Sequence, residues 1–334
     1  MTTSVSRRVV LGAALALPAI RRAHAEVSEV LIAKQFGTLY MQQDVMEQQK
    51  LIEKHAARLG LPNLKATYIR LAGTGPVTDG LLSGKLHFAS GGAPGAMLLW
   101  DRTRGGIKSA FAMNATNQKL VTVNPKLKTI RDLAPEDRIA LPAVKTSPQA
   151  VWLQMAAVGT WGKGEWSRYD NQTISRAHPD SMAQMLGRTE ITCHWSSTPF
   201  QERELAAPGV REIANSFDIM AMPSVTPNTI YGNNQFRSEN PLAWRASLSA
   251  FQEATDFINA SQQQAAELYL LSSGDKDTPE AVMASMNSPG NRFTLQPAGL
   301  MKMAIFMAET GVLKRRPDNL ADLFFPEAAE LGGT

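Results

Sequence analysis

Short loops rich in glycine, serine and threonine follow several predicted strands, at points where helices begin. In an open α/β sheet these strand ends hold ligands, and the N–H groups and positive dipole of a helix start suit an anion. Glycine lets the backbone approach a ligand, and hydroxyl groups donate hydrogen bonds. We therefore predict a site for a small oxyanion or carboxylate, with turn formation as the alternative role of these residues. The loops are Gln35-Phe36-Gly37-Thr38 with Tyr40, Gly73-Thr74-Gly75, Gly92-Ala93-Pro94, Thr146-Ser147 and His194-Trp195-Ser196-Ser197-Thr198.

Aromatic and polar side chains near these loops extend the prediction. Phe36, Tyr40 and Trp195 would form an apolar wall with a polar edge, unless they belong to the core. Asn114 would donate to a ligand. Basic residues near the strand ends would either add positive charge or face solvent: Lys34, Arg70 and Lys145. The predicted ligand-binding residues are Gln35, Phe36, Gly37, Tyr40, Gly73, Thr74, Gly92, Ala93, Asn114, Thr146, Ser147, Trp195 and Ser196.

Residues that could support catalysis or metal binding do not form a recognisable pattern. Cys193-His194 suggests an activated thiolate, but neighbours on a strand point to opposite faces, so we predict a buried structural cysteine. The chain has five histidines, and His55, His87, His178 and His194 do not fall at metal-ligand spacing. The glycine-rich loops lack the phosphate-loop and dinucleotide fingerprints. We predict no catalytic residue, no metal site and no cofactor.

Alternation of short β-rich runs, loops and helical stretches predicts an α/β fold. A strand is predicted over Glu29 to Ala33 and a helix over Met41 to Leu59, which Gly60 ends. Similar units continue to about residue 105, and a second series runs from Leu120 to His194. Helices dominate after Ile219, and one of them is predicted from Trp244 to Ser272. A chain of 334 residues is long enough for two domains.

The first 25 residues are typical of a cleaved export signal. Ser6-Arg7-Arg8 precedes an apolar run from Val9 to Ile20, and Ala23-His24-Ala25 resembles a cleavage site. The paired arginines favour twin-arginine export, with general secretion as the alternative. This segment holds four arginines and no acidic residue, so its removal lowers the formal net charge from +4 to 0. A neutral product has no basic field for nucleic acid, and we predict a periplasmic protein.

Three segments carry a family resemblance through their order and spacing. They are Leu81-Leu82-Ser83-Gly84-Lys85-Leu86-His87-Phe88-Ala89, Leu127-Lys128-Thr129-Ile130-Arg131-Asp132-Leu133 and Met182-Ala183-Gln184-Met185-Leu186-Gly187-Arg188-Thr189-Glu190-Ile191. With these segments the chain resembles periplasmic solute-binding proteins of ABC importers. More narrowly, it resembles the nitrate, sulfonate and taurine binding family, also called the NMT1 or SsuA-like group.

The resemblance implies a two-lobed α/β fold of the type II periplasmic binding protein class, with a ligand cleft between the lobes. Lobe one would comprise residues 26–114 and 219–334, and lobe two residues 115–218, with crossings near Asn114 and Asp218. The implied function is extracytoplasmic capture of a sulfonate, carboxylate or nitrate-like anion, followed by delivery to an inner-membrane ABC permease. A monomer without enzymatic activity is expected. The alternatives are a desulfinase-like or pyrimidine-synthase-like enzyme on this fold, and a periplasmic ligand sensor.

Overall fold

A computed structural model describes residues 26–71 and 75–334 as a mixed α/β structure. Its strands, in chain order, are β1 (Glu29–Lys34), β2 (Lys65–Arg70), β3 (Phe88–Gly92), β4 (Ile107–Ala112), β5 (Asn114–Ala115), β6 (Lys119–Thr122), β7 (Ile139–Leu141), β8 (Thr173–Ser175), β9 (Cys193–Trp195), β10 (Arg211–Asn215), β11 (Asn228–Asn233) and β12 (Arg292–Phe293).

The helices among the same residues alternate with these strands and then dominate the last third of the chain. They are α1 (Met41–Gln49), α2 (Leu51–Arg58), α3 (Gly75–Leu82), α4 (Ala93–Arg102), α5 (Pro148–Trp161), α6 (His178–Leu186), α7 (Phe200–Ala206), α8 (Ser216–Met220), α9 (Asn234–Glu239), α10 (Pro241–Ala260), α11 (Gln262–Ser273), α12 (Pro279–Met286), α13 (Leu300–Glu309) and α14 (Leu320–Leu323).

The first sheet combines strands from distant parts of the sequence, in the order β2-β1-β3-β11-β4. Strand β1 runs parallel to β2 and β3, whereas β11 is antiparallel to β3 and β4. Parallel strands end at the same edge of a sheet. The loops that follow β1 and β3 therefore lie at one edge.

The second sheet repeats this arrangement within one continuous stretch of chain, in the order β10-β6-β9-β7-β8. Strand β7 runs parallel to β8 and β9, and β6 is antiparallel to β9 and β10. The loops after β7, β8 and β9 consequently meet at one edge of this sheet.

Two segments connect the sheets. The chain leaves the first sheet at Ala112 and enters the second at Lys119, passing through β5, which pairs with β12. It returns between Asn215 and Asn228. Strands of the first sheet lie within 26–114 and 219–334, and those of the second within 115–218. The boundaries of two rigid lobes stay a prediction.

Two predicted helices are each broken into two. The helix predicted over Met41 to Leu59 is α1 and α2, because Lys50 adopts a left-handed conformation with φ 53° and ψ 45°. The helical stretch predicted from Trp244 to Ser272 is α10 and α11, separated at Ser261. Helix α10 packs against both α1 and α2, so the break lets two short helices follow one long neighbour.

None of the helices within residues 26–71 and 75–334 combines the length and apolar character that a membrane crossing requires. The predicted export signal, residues 1–25, lies outside the described residues.

Candidate functional site

A small cavity of about 40 Å³ lies between the loop edges of the two sheets. The first sheet and its loops contribute Gln35, Phe36, Leu39, Tyr40, Gly92 and Asn228. The second side contributes five polar residues, Gln118, Ser147, Gln149, His178 and Ser197, together with small apolar residues. No lysine, arginine, aspartate or glutamate is among the described residues that line the cavity. Its electrostatic character therefore comes from neutral dipoles and from one imidazole.

Three helix starts converge on this cavity. Gly92 is the N-cap of α4, Ser147 is the N-cap of α5, and His178 is the first residue of α6. Each of these helices carries proline at its first or second position, where no N–H is needed. A helix N-terminus acts as about half a positive charge. The cavity is therefore suited to binding an anion through helix dipoles, without the help of a cationic side chain.

Polar side chains around the cavity leave hydrogen-bonding capacity unused. Gln149 Nε2 donates to Gln118 Oε1 at 2.8 Å, while Gln149 Oε1 is buried with no partner among the described residues. Tyr40 donates through its hydroxyl to Asn228 Oδ1 at 3.4 Å. Burial, and secondarily Tyr231, raise the pKa of Tyr40 far above its ordinary value, so the phenol stays a neutral donor. Buried polar groups normally find partners, which a ligand would supply here.

Behind the cavity, three buried side chains form a continuous hydrogen-bonded chain, here called the His–His–Glu chain (His178, His194 and Glu204). His178 Nδ1 lies 2.8 Å from His194 Nε2, and His194 Nδ1 lies 2.6 Å from Glu204 Oε1. His194 and Glu204 are fully buried, and His178 is 9 % exposed. Phe200 stacks on the His178 ring. Burial first, and the charge of His194 second, hold the pKa of His178 well below its ordinary value.

Cys193 is a buried thiol on the opposite side of β9 from this chain. Its Sγ lies 3.5 Å from Thr122 Oγ1, while His194 contacts His178 and Glu204. Burial raises the pKa of Cys193 to about 11. A thiol with this pKa and no contact with imidazole is a poor nucleophile, which disfavours the desulfinase-like alternative.

Two glycines allow the sides of the cavity to approach each other. A Cβ on Gly92 would lie 2.6 Å from Pro148 Cδ, and one on Gly37 would lie 3.0 Å from the Thr198 carbonyl oxygen. Gly37 also has a φ of 103°, which side chains rarely adopt. The close approach of loops from the two sheets therefore depends on the absence of side chains at these positions.

Solved structures of similar architecture cover nearly the whole chain. The alkanesulfonate-binding protein SsuA from Xanthomonas axonopodis pv. citri, solved bound to MOPS, aligns with a TM-score of 0.70 at 13 % identity, over 91 % of this chain and 98 % of that chain. The periplasmic aliphatic sulphonate binding protein SsuA from Escherichia coli aligns at 0.65 and 14 % identity, over 90 % and 92 %. The chain has the periplasmic binding protein fold. This confirms the predicted two-lobed α/β class.

A third structure with this fold is the periplasmic nitrate-binding protein NrtA from Synechocystis PCC 6803. It aligns with a TM-score of 0.63 at 14 % identity, over 92 % of this chain and 86 % of that chain. No protein-family profile matches the chain, and no curated protein matches it. The likeness is therefore one of fold at low sequence identity.

Within the periplasmic binding protein fold, the predicted ligand-binding residues separate into groups. Gln35, Phe36, Tyr40, Gly92 and Ser147 line the cavity. Gly37 and Ala93 lie directly beside lining residues, and Ala93 donates its N–H to the Pro227 carbonyl at 2.8 Å. Gly73 and Thr74 lie outside the described residues.

Four other predicted residues are not among the residues that line the cavity. Trp195 is fully buried against Trp152, with ring centroids 6.2 Å apart, because both faces of the second sheet are covered. Ser196 is fully buried and donates its N–H to the Lys119 carbonyl. The remaining two are used elsewhere: Asn114 donates to the Leu39 carbonyl at 2.8 Å, and Thr146 lines a separate open groove beside α4.

The basic residues considered for an anion also lie outside the cavity. Lys34 is buried and forms an ion pair with Asp44 at 2.8 Å. Arg70 lies over the Phe36 ring, 5.5 Å from its centroid. Lys145 is exposed. None of them is among the residues that line the cavity.

Sequence reasoning missed His178, Gln118, Gln149 and Asn228. His178 follows β8 at the start of a helix, so the rule that selected the other loops applies to it as well. The histidines were compared only by sequence spacing, whereas pairing of β7 with β8 and β9 brings His178 and His194 together. Gln118 and Asn228 lie where the chain passes between the sheets, and no sequence signal marked them.

Proposed function

We propose that this chain is the extracytoplasmic solute-binding subunit of an ABC transporter, which captures a small anion and delivers it to an inner-membrane permease. The observation that carries the proposal is the convergence of the α4, α5 and α6 starts on a cavity where the described lining residues include no lysine, arginine, aspartate or glutamate. Such a site favours an anion through oriented dipoles.

The names of the structural neighbours support the same ligand class. Two are sulfonate-binding proteins, one of them solved with MOPS, and a third is a nitrate-binding protein. Apolar surface from Phe36, Leu39 and Pro148 beside the polar groups favours an organic sulfonate or carboxylate over a bare inorganic anion. A ligand with a charged head and a short apolar tail would use both kinds of surface.

Ligand capture would close two lobes, residues 26–114 with 219–334 and residues 115–218. The close approaches of Gly37 to Thr198 and of Gly92 to Pro148, already present in this structure, would belong to the closed form. The crossing segment is tied to the cavity wall, since Asn114 donates to the Leu39 carbonyl and Gln42 donates to the Met113 carbonyl. Hinge motion at such crossings is the usual closing mode of two-lobed binding proteins.

The cellular setting follows from the same proposal. Residues 1–25 would direct the chain to the periplasm through the twin-arginine route, and the mature protein would act as a monomer. Its partner would be an ABC permease in the inner membrane.

A thermal-shift assay tests the ligand class. Ethanesulfonate, acetate and nitrate are the probes, and uracil is a neutral comparison. At a concentration of 100 Kd a ligand raises the free energy of unfolding by about 2.7 kcal/mol. At least one anion is expected to stabilise the protein. Gln149→Leu should reduce this ligand-induced shift, while Gln264→Leu, an exposed position on α11, should preserve it. No stabilisation by any anion would contradict the proposed function.

A further inference from the structure

The His–His–Glu chain ends at the cavity with one ring nitrogen available. His178 lines the cavity, and its Nδ1 is bonded to His194. Its Nε2 has no hydrogen-bond partner among the described residues. The ring is held in place by this hydrogen bond and by stacking on Phe200, with an interplanar angle of 21°. His178 therefore presents a fixed polar atom at the ligand site.

Protonation of the His–His–Glu chain determines whether His178 Nε2 donates or accepts a hydrogen bond. Each of the two hydrogen bonds in the chain holds one proton. Without a proton on His178 Nε2, the chain has a net charge of −1 and offers a lone pair to the cavity. A third proton makes the chain neutral: Glu204 and His194 become an ion pair, and the neutral His178 ring presents Nε2–H. The two states thus present opposite hydrogen-bonding groups to a ligand.

Burial makes the third proton favourable. Glu204 is fully buried, and its Oε2 has no hydrogen-bond partner among the described residues of the protein. An uncompensated buried carboxylate is costly, and His194 is the one ionisable group bonded to it there. Burial and the neighbouring His194 hold the pKa of His178 well below its ordinary value, which disfavours an imidazolium on this ring. The donor form is then the neutral Nε2–H tautomer.

Other ionisable groups on the surrounding helices and strands either interact with residues outside the His–His–Glu chain or are exposed. Lys119 on β6 pairs with Glu212 at 3.0 Å, and Arg203 on α7 pairs with Asp275 and Asp277. Asp180 on α6 is exposed. The others are Glu202 on α7, which accepts from Ser288, and the Cys193 thiol on β9. Arg176, on the loop between β8 and α6, is half-buried, and its Nε has no partner among the described residues. Strand β7 carries no ionisable side chain.

We propose that His178 contacts the ligand through Nε2, and that anion binding is coupled to the uptake of one proton by the His–His–Glu chain. This rests on the proposed function, since it takes the ligand to be an anion. An anion accepts a hydrogen bond from Nε2–H and is repelled by the state with charge −1. Binding therefore selects the state with three protons, and affinity falls as pH rises through the midpoint of the chain. The proton comes from solvent.

Two measurements on the mature protein test the coupling. Nitrogen-15 NMR of labelled histidine in the unliganded protein should show His178 changing from the Nε2–H to the Nδ1–H tautomer as pH is raised from 5 to 9. Calorimetric titration of ethanesulfonate, acetate or nitrate in two buffers of different ionisation enthalpy should show proton uptake approaching one per anion above the midpoint.

Three variants distinguish a specific role of the His–His–Glu chain in binding from general effects on folding. His178→Gln should abolish proton uptake and weaken anion binding about tenfold, the effect of one lost hydrogen bond to a charged group. Glu204→Gln leaves His178 in place and should lower the midpoint by about one pH unit, because the stabilising negative charge is lost. His55→Gln, which removes a histidine paired with Glu253 outside the cavity, should behave as wild type.

The outcomes distinguish the two proposals. Anion binding without proton exchange, or a His178 tautomer that is constant across this pH range, would overturn the coupling and leave the proposed function intact. Failure of all three anions to bind would overturn the proposed function and the coupling together.

Discussion

Gly92 and Pro148 lie in direct contact across the cavity, at the starts of α4 and α5. A Cβ on residue 92 would lie only 2.6 Å from Pro148 Cδ and 3.2 Å from Pro148 Cγ. The proline ring is rigid and part of a helix terminus, so it has little freedom to move aside. The two helix starts can approach this closely only because residue 92 has no side chain.

Gly92→Ala is expected to weaken ligand binding at least tenfold, because the added methyl group keeps the two helix starts apart. Calorimetry with the best-binding anion measures the effect. Gly159→Ala on α5 is the control: a Cβ there meets nothing within 4 Å, so affinity should be unchanged and stability should rise by up to about 1 kcal/mol. Wild-type affinity in the Gly92 variant would show that this contact is not needed for binding.

Trp195→Ala is expected to lower the free energy of unfolding by about 3–5 kcal/mol, the usual cost of truncating a buried aromatic residue. Trp195 is fully buried against Trp152. Denaturant-induced unfolding measures the change. Trp161→Ala, at a position that is 39 % exposed, should cost less than half as much. Equal effects of the two substitutions would argue against the core position of Trp195.

His178 is expected to make the protein less stable in acid. Its pKa is lowered in the folded state by burial and by His194, so the unfolded chain binds more protons below the ordinary pKa of about 6.5. Stability should therefore fall as pH is lowered from that value, by up to about 1.4 kcal/mol per pH unit for this group. Unfolding curves between pH 7 and 5 should show a shallower loss for His178→Gln. If the pH dependence of stability were unchanged in His178→Gln, His178 would not be the group responsible for the loss of stability in acid.

Cys193 is expected to resist thiol reagents in the native protein. With a pKa of about 11, only about a thousandth of the thiol is ionised at pH 8, and the side chain is fully buried. An aromatic disulfide reagent should label it at the rate of unfolding, and immediately in denaturant. Rapid labelling of the folded protein would show that the site opens to solvent.

The alternation of strands, loops and helices was predictable because each unit is a local pattern of burial and turn residues. Ser147 was also predictable, because a serine before proline and an apolar stretch is a helix N-cap signal. Trp195 is buried and is not among the residues that line the cavity, and its sequence did not indicate this for a physical reason. Strand β9 is buried on both faces, so its sequence carries no alternation to show which side chains point towards a cavity.

His178 illustrates why contacts between distant residues limit prediction from a single sequence. It lies 16 residues before His194, yet their ring nitrogens are 2.8 Å apart. Their proximity follows from the register in which β7 pairs with Thr173–Ser175 on one side and with Cys193 on the other. Register between strands depends on the whole sheet, and a single sequence does not specify it.

The insertion of β11 between β3 and β4 sets an order in which the molecule can assemble. Residues 119–215 supply the whole second sheet in one continuous stretch, so that sheet can form as soon as this segment is available. The first sheet lacks a central strand until Asn228–Asn233 has been synthesised. Before that point, β3 and β4 have unpaired edges that can pair with other chains. A nascent chain halted before residue 228 would therefore be prone to aggregation, although it already contains most of the residues that line the cavity.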